Sequence, residues 1–387
     1  MAGLVPAIYV FTVAVRAESW MSGTSAGQGK PVLIESTPAL DNEAIRLIPM
    51  SFGELQGWRE DDHAEALRTL LKSCRLMQSP DAICAAAMAL GDSLDRDAAR
   101  AFFEANYTPH RIEGSPEPGF VTGYYEPEVR GSRERSGAFM VPVYGRPDDL
   151  ITLAPETERA RFNDRITGMR QTPQGQVPYY TRQEIHAGAL EGRGLELLYL
   201  DDLVELFYMQ VQGSGLVRFA GGSSVRLTYA GKNGHPYTSI GKLLSARGEI
   251  TSDAMSMAVV KAWLHADPER ARALMEENRS YVFFRELDAK ESADGPLGAD
   301  GVQLTPGRSL AVDTAYHRLG LPVFVTGPDI AAPDGAPFRR LMIAQDVGSA
   351  IRGPGRGDIF WGTGAAAGAI AGSTRHKASF TLLLPKR

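Results

Sequence analysis

The chain has 387 residues and 43% hydrophobic content, enough for two or three domains with sizeable cores. Its 41 Lys and Arg against 46 Asp and Glu leave a formal charge of -5 with the signs interspersed, which excludes a polybasic nucleic-acid footprint. The 41 Gly and 24 Pro suit short strands with many turns, and seven His and two Cys form no tight zinc constellation.

Residues 1–45 read as a leader or disordered tail. An apolar segment from Leu4, followed by Val15-Arg16-Ala17, weakly resembles a secretory signal, although a charged start is missing. The segment is short for a bilayer span, and no cysteine stands near it for a lipid anchor. Three helices follow: one from Phe52 to Cys74 with i, i+3, i+4 apolar spacing, one over 81–90 and one over 95–105. Cys74 and Cys84 fall in this region; the spacing allows a disulfide and equally two buried thiols. At Tyr107 the texture changes to short strands: Phe120–Pro127, Met140–Tyr144 and Leu197–Leu200. Leu203–Gln212 is a dense apolar and aromatic run that stops at Gly213-Ser-Gly215. Strands at 216–219 and 223–230 form a hairpin around Gly221-Gly222. Helices are expected at 238–247, at 251–266 with Ser252-Asp253 as cap, and from Asp267-Pro268 to about 277. After the strand Tyr281–Phe284, residues 286–300 read as an exposed loop. From 302 the chain is β again, with strands at Leu310–Asp313, Val323–Val325, Arg340–Ala344, Asp358–Trp361 and Ala378–Leu384.

Two acids, Asp346 and Asp358, stand among glycines and aromatics where short strands meet turns. Strand edges hold side chains still, and the glycines let backbone approach a ligand. Taken alone, this is a glycine-rich barrel corner with capping Asp side chains. The order of motifs along the chain says more. Thr122-Gly-Tyr-Tyr125, Gln210-Val-Gln-Gly-Ser-Gly215, Tyr229–Tyr237, Asn278–Phe284, Leu310-Ala-Val-Asp313, Ala344-Gln-Asp346 and Asp358–Gly362 follow one another from about residue 105 to the end. This set resembles the MltA-type lytic transglycosylases of bacterial cell walls, which end in a three-aspartate domain.

The resemblance implies a mainly β protein with a helical N-terminal part. A double-psi β-barrel would be formed from 46–127 and 266–387. A second β-barrel, inserted over 128–265, would face it across a groove. It implies cleavage of the β-1,4 bond between N-acetylmuramic acid and N-acetylglucosamine by the muramic C6 hydroxyl, leaving a 1,6-anhydro end. One carboxylate then suffices, because the nucleophile is part of the substrate. By position in the motif Asp358 is the acid/base. Asp346 is its rival or a supporting acid, and Asp313 is a third acid with a structural role. Arg308, Arg352 and Arg356 are their candidate partners.

Gln212, Gly213, Ser214 and Gly215 read as groove wall or as a locally satisfied turn. Thr122, Tyr124 and Tyr125 stand where the insertion begins, and a Tyr face can stack on a sugar. Lys232, in a polar turn with Asn233 and His235, could meet a carboxylate or water; His235 has no partners spaced for a metal. Trp361 divides evenly between sugar subsite and barrel core. No metal or organic cofactor is expected. The expected partner is the peptidoglycan strand, met by a monomeric periplasmic protein, with association to cell-wall synthesis or outer-membrane proteins left open. Two rival readings are a glycoside hydrolase, with Asp346 or Glu126 as second carboxylate, and a noncatalytic carbohydrate-binding barrel.

Overall fold

A computed structural model describes residues 46–386, apart from 92–94, 114–118, 154–165, 332–334, 336 and 349. The leader expected over 1–45 lies outside the described residues. Six strands close on themselves: Gly119–Glu126, Arg375–Pro385, Pro322–Ala331, Pro337–Val347, Ser309–Val312 and Arg356–Thr363, which pairs back to Gly119–Glu126. The sheet is mixed, since Ser309–Val312 runs parallel to Pro337–Val347 and Arg356–Thr363 runs parallel to Gly119–Glu126. Closure leaves the ring without a free edge. Arg375–Ala378 seals against Gly119–Thr122, while the far end of the same strand, Thr381–Pro385, pairs with Tyr107–Arg111. Tyr107–Glu113 in turn carries the short strand Arg46–Pro49.

The apolar run Leu341–Ala344 is continuous because both of its faces are covered. Met342 and Ala344 join the barrel core with Val121, Leu310, Val323 and Ile359. Leu341 and Ile343 face outward, onto Trp58, Leu67, Leu71 and Phe103 of the N-terminal helices. Those helices span His63–Leu76, Ala82–Leu90 and Arg96–Asn106, each with an Asp side chain capping its first turn. A Cys74–Cys84 disulfide ties the first two, which spacing alone had left open. Buried Arg308 docks the first helix on the barrel, bonding Asp61 and Glu65 at 2.9 and 2.8 Å.

The chain leaves the barrel at Pro127 and builds a six-stranded sheet. Its order is Val282–Glu286, Ser224–Lys232, Ser214–Phe219, Glu128–Ser132, Glu196–Leu200 and Val141–Tyr144. A bridge between Gly145 and Phe284 brings its two edges together. The run Leu203–Gln212 is a helix, buried on nearly every side, and forms the centre of this unit's core. Helices Met257–Ala266 and Pro268–Glu277 pack on the same core and return the chain to the sheet through Val282–Glu286. The unit therefore runs on to Glu286, beyond the boundary expected at residue 265. The helix expected from 251 starts later. Residues 251–255 close two turns, and Ser256 caps Met257–Ala266 instead of Ser252-Asp253. Helices Arg182–His186 and Gly364–Ser373 were not foreseen; the second, made of Gly, Ala, Ile and Ser, lies on the barrel strand Gly119–Glu126.

Candidate active site

Strand register builds the site. Ala311 pairs with Asp346 on one side and Asp358 on the other; Asp358 pairs with Thr122, and Thr122 with Arg375. One row thus crosses five neighbouring strands. Leu310, Ile359 and Val121 alternate with this row and fill the barrel core, so the acids belong to the opposite face. A bulge sets the row. Leu310 pairs with Ala344 and Ala311 with Asp346, leaving Gln345 as the extra residue. Gln345 turns to the helices, where its amide donates to Thr69 O and Ser73 Oγ, both at 2.9 Å. Ala311 is fully buried between the two acids, and its small side chain permits their approach.

Asp358 is 1% exposed. Thr122 Oγ1 donates to its Oδ1 at 2.6 Å, and Arg356 Nη2 donates into the same Thr122 oxygen at 2.7 Å. The guanidinium has no acceptor, so the single hydroxyl proton of Thr122 must go to Asp358. With Oδ1 occupied, a proton on this carboxyl sits on Oδ2. Burial pushes the carboxyl up to about 6, against the opposing pull of Arg356 and Thr122. Such a group exchanges a proton near neutral pH.

Asp346 is held differently. Its Oδ1 accepts from the amides of Ala299 and Val347 at 3.0 and 2.9 Å, and its Oδ2 accepts from Tyr124 Oη at 2.8 Å. Burial carries it up to about 7, with Asp358 adding to the rise, although all three donors favour the charged form. Asp313 is a turn and loop anchor. It accepts from the amides of Ala315 and Gly353, and Arg352 approaches it at 3.7 Å. Of the three arginines named as partners, Arg356 reaches Asp358 through Thr122, Arg352 meets Asp313, and Arg308 is spent on the N-terminal helix.

A cleft of about 820 Å³ opens over Asp358. Its barrel wall holds Phe120, Thr122, Tyr124, Tyr125, Arg356 and the helix end Ala371–Ser373. Its other wall holds Gln212, Gly241, Lys242, Met255, Met257 and Val260 of the second unit. Gln212 and Asp358 therefore share one cleft, and Gln212 Oε1 accepts from the Tyr125 amide at 3.2 Å. Gly213, Ser214 and Gly215 do not line it. Gly213 ends the helix in the left-handed region at φ 83°, and Ser214 and Gly215 open the next strand. A side chain at Gly215 would collide with Met209, which accounts for the glycine there.

Lys232 lies outside the cleft, paired in the sheet with Val282. The turn beside it is a structural knot. Asn233 donates to the carbonyls of Tyr180 and Arg279, both at 2.8 Å, and accepts from Tyr281 N at 2.9 Å. His235 Nε2 bonds Tyr179 O at 2.7 Å. Trp361 belongs to the core, edge-on to Phe338 and beneath Gly123, where an added Cβ would sit 2.5 Å from its indole nitrogen. Glu126 is fully buried and engaged on both oxygens by Arg226 and Thr363, each at 2.7 Å.

Sequence reading did not find the Gln345 bulge, the role of Ala311, the wall of small residues in Gly364–Ser373, or Lys242 and Arg375 in the lining. Among the described residues one group has metal-ligand character: Asp202, Glu205 and His265, within 4.8 Å of one another. Lys261 already holds both Glu205 oxygens, and His265 bonds Asp202. None of the three lines the cleft.

Comparison with known proteins agrees with this architecture. The family model "MltA specific insert domain" matches residues 120–285, and the "3D domain" matches 308–384. Membrane-bound lytic murein transglycosylase A of Vibrio cholerae is 36% identical over 274 residues, 69% of this chain; the chain spans 66% of that relative's length. Among solved structures, the membrane-bound lytic murein transglycosylase of Agrobacterium tumefaciens is 37% identical. The match covers 88% of this chain and 97% of that one, with a TM-score of 0.78. E. coli MltA with bound chitohexaose is 27% identical over 92% of this chain and 94% of its own, with a TM-score of 0.64. By these likenesses and by its own arrangement of barrel, insert and acid row, the chain belongs to the MltA family of lytic transglycosylases, with a C-terminal 3D domain.

Proposed function

We propose that this protein is a peptidoglycan lytic transglycosylase that works through one acid/base, Asp358. The substrate is the β-1,4 bond between N-acetylmuramic acid and N-acetylglucosamine. The neutral Asp358 carboxyl gives its Oδ2 proton to the leaving glycosidic oxygen. The muramic C6 hydroxyl attacks C1 from within the same sugar, and its proton passes to the Asp358 carboxylate. A 1,6-anhydro end forms, the acid is restored, and no water is consumed.

The observation that carries this reading is Asp358 itself: buried, raised to about 6, oriented by Thr122, and part of an interdomain cleft. A hydrolase would need a second working carboxylate. Glu126 is tied up by Arg226 and Thr363, and Asp346 by three donors, so both suit support of the walls better than proton traffic. We read the closed ring as a double-psi barrel and the second unit, whose edges meet at Gly145 and Phe284, as a second barrel. Thr122, Tyr124 and Gln212 are assigned to glycan binding, in keeping with the chitohexaose-bound relative.

A periplasmic setting, with outer-membrane association, fits the relatives' names and the Cys74–Cys84 bond, which suits an oxidising compartment. We assign a monomer acting on glycan strands. The test is digestion of purified peptidoglycan in ¹⁸O water with mass analysis. The expected products end in 1,6-anhydromuramic acid without the label. Labelled reducing ends would replace this reading with hydrolysis.

A further inference from the structure

The cleft holds more positive charge than the chemistry above uses. Its lining includes Lys242, Arg356 and Arg375, and the only acid in it among the described residues is Asp358. Arg356 is committed to the wall, donating to Thr122 and to the carbonyls of Phe120 and Gly357. The side chains of Lys242 and Arg375 form no ion pair or hydrogen bond with the described residues; the hydrogen bonds of these two residues are backbone ones. Several other cations of the second unit are engaged: Lys261 with Glu205, Arg247 with Glu277, Arg270 with Glu249. Uncompensated charge inside a concave site raises the local concentration of anions.

Position adds to the charge. Lys242 belongs to helix Ile240–Ala246 of the second unit, exposed at the cleft. Arg375 is half-buried on the barrel and is the register partner of Thr122, which holds Asp358. Two strand spacings, about 10 Å, separate the Arg375 and Asp358 backbones. A guanidinium side chain shortens that span, which brings a group on the reacting sugar or its neighbour within reach.

We propose that Lys242 and Arg375, one on each wall, bind carboxylates of the glycan strand and select carboxylate-bearing muramyl strands over uncharged ones. The inference rests on the transglycosylase reading for the identity of the strand. Two carboxylates share this chemistry: the lactyl group of the muramyl sugar, once freed of peptide, and those of the stem peptide. A guanidinium offers a carboxylate two parallel bonds, and an ammonium offers a point charge. Arg375 therefore contributes orientation and Lys242 mainly attraction.

The test measures binding in the Asp358→Asn background, so that strands are not consumed. Three probes are compared: peptide-bearing strands, strands stripped of peptide, and the same strands with every carboxyl converted to an amide. Lys242→Met and Arg375→Met are each expected to weaken binding of the carboxylate strands about 3- to 10-fold, less at high salt, and to leave the amidated strands unchanged. The double variant is expected to bring the preference for charged strands close to one. Lys242→Arg and Arg375→Lys should keep most of it. A loss already present with stripped strands assigns the lactyl carboxylate; a loss confined to peptide-bearing strands assigns the stem peptide. Equal losses on charged and amidated strands, or an intact preference in the double variant, would overturn the proposal. Cleavage by the parent protein is scored separately through its anhydro ends, so a failure of the activity reading is distinguishable from a failure of this one.

Discussion

The acid row of the barrel and the Asn233–His235 turn of the second unit are both polar, both buried and both part of the motifs that mark the chain. They differ in what their polar atoms lack. Asn233 gives and receives hydrogen bonds on both ends of its amide, so burial costs it little. Asp358 accepts one hydrogen bond from the described residues and is pushed toward its neutral form by burial. A satisfied group holds a fold together; a group kept from its preferred charge state beside a cleft is poised to exchange a proton. Lys232, in the same motif as Asn233, looked like a ligand contact in sequence and belongs to the sheet of the second unit.

The sharpest way to break this contrast is Asp358→Asn. The amide retains the acceptor for Thr122 but cannot deliver and recover a proton. Cleavage of peptidoglycan is expected to fall by about 10²- to 10⁴-fold or more, with thermal unfolding and glycan binding retained. Substantial turnover by the folded variant would remove Asp358 from the acid/base role and pass it to Asp346.

The pH dependence is the next largest effect. The same carboxyl starts and ends the cycle protonated, so only the neutral form is competent. With a value of about 6, the rate on purified strands should drop roughly 50-fold between pH 6 and pH 8, with no matching fall on the acid side down to about pH 4.5. A profile rising toward pH 8 would mean that an ionised group does the work.

How far sequence could anticipate this contrast depends on the kind of order involved. Asp358, Thr122 and Gln212 could be singled out because they fall within the motifs, and the structure places all three in one cleft. The row that joins Thr122 and Asp358 to Asp346 was not legible, because register depends on partners far apart in sequence and on one extra residue, Gln345, that nothing local marks. The helix Gly364–Ser373 carries no apolar period; its small residues serve the close approach of Tyr125, where a Cβ on Gly368 would lie 2.8 Å from the ring. Trp361, evenly divided between core and subsite, was decided by Gly123 and Phe338. Lys242 and Arg375 lack any local signature at all, since a lining cation matters through the acids that are not near it.

On the other side of the comparison, Asn233→Ala should act on stability alone. It strands the carbonyls of Tyr180 and Arg279 and the amide of Tyr281, a loss of about 2–4 kcal/mol. Urea unfolding should show the lower midpoint, while the rate per folded molecule on short strands changes less than twofold. A large rate loss in a variant of unchanged stability would place this turn in the binding machinery after all.

Neutralising a buried acid should do the reverse, and Asp346→Asn tests it with the smallest effect. Burial holds Asp346 near 7, above its unfolded value of about 3.8. Between these values the native state binds more protons than the unfolded one, so stability falls as pH rises through the window. Asn carries no such penalty and can still accept from the Ala299 and Val347 amides. The variant should match the parent near pH 4 and exceed it by about 1–3 kcal/mol at pH 8. Unfolding curves collected at both pH values measure this directly. A variant less stable than the parent at pH 8 would show that the three hydrogen bonds to Asp346 outweigh its desolvation, and that the carboxylate form is the native one. The acid row would then resemble the Asn233 turn more than it differs from it, with Asp358 alone kept from its preferred charge.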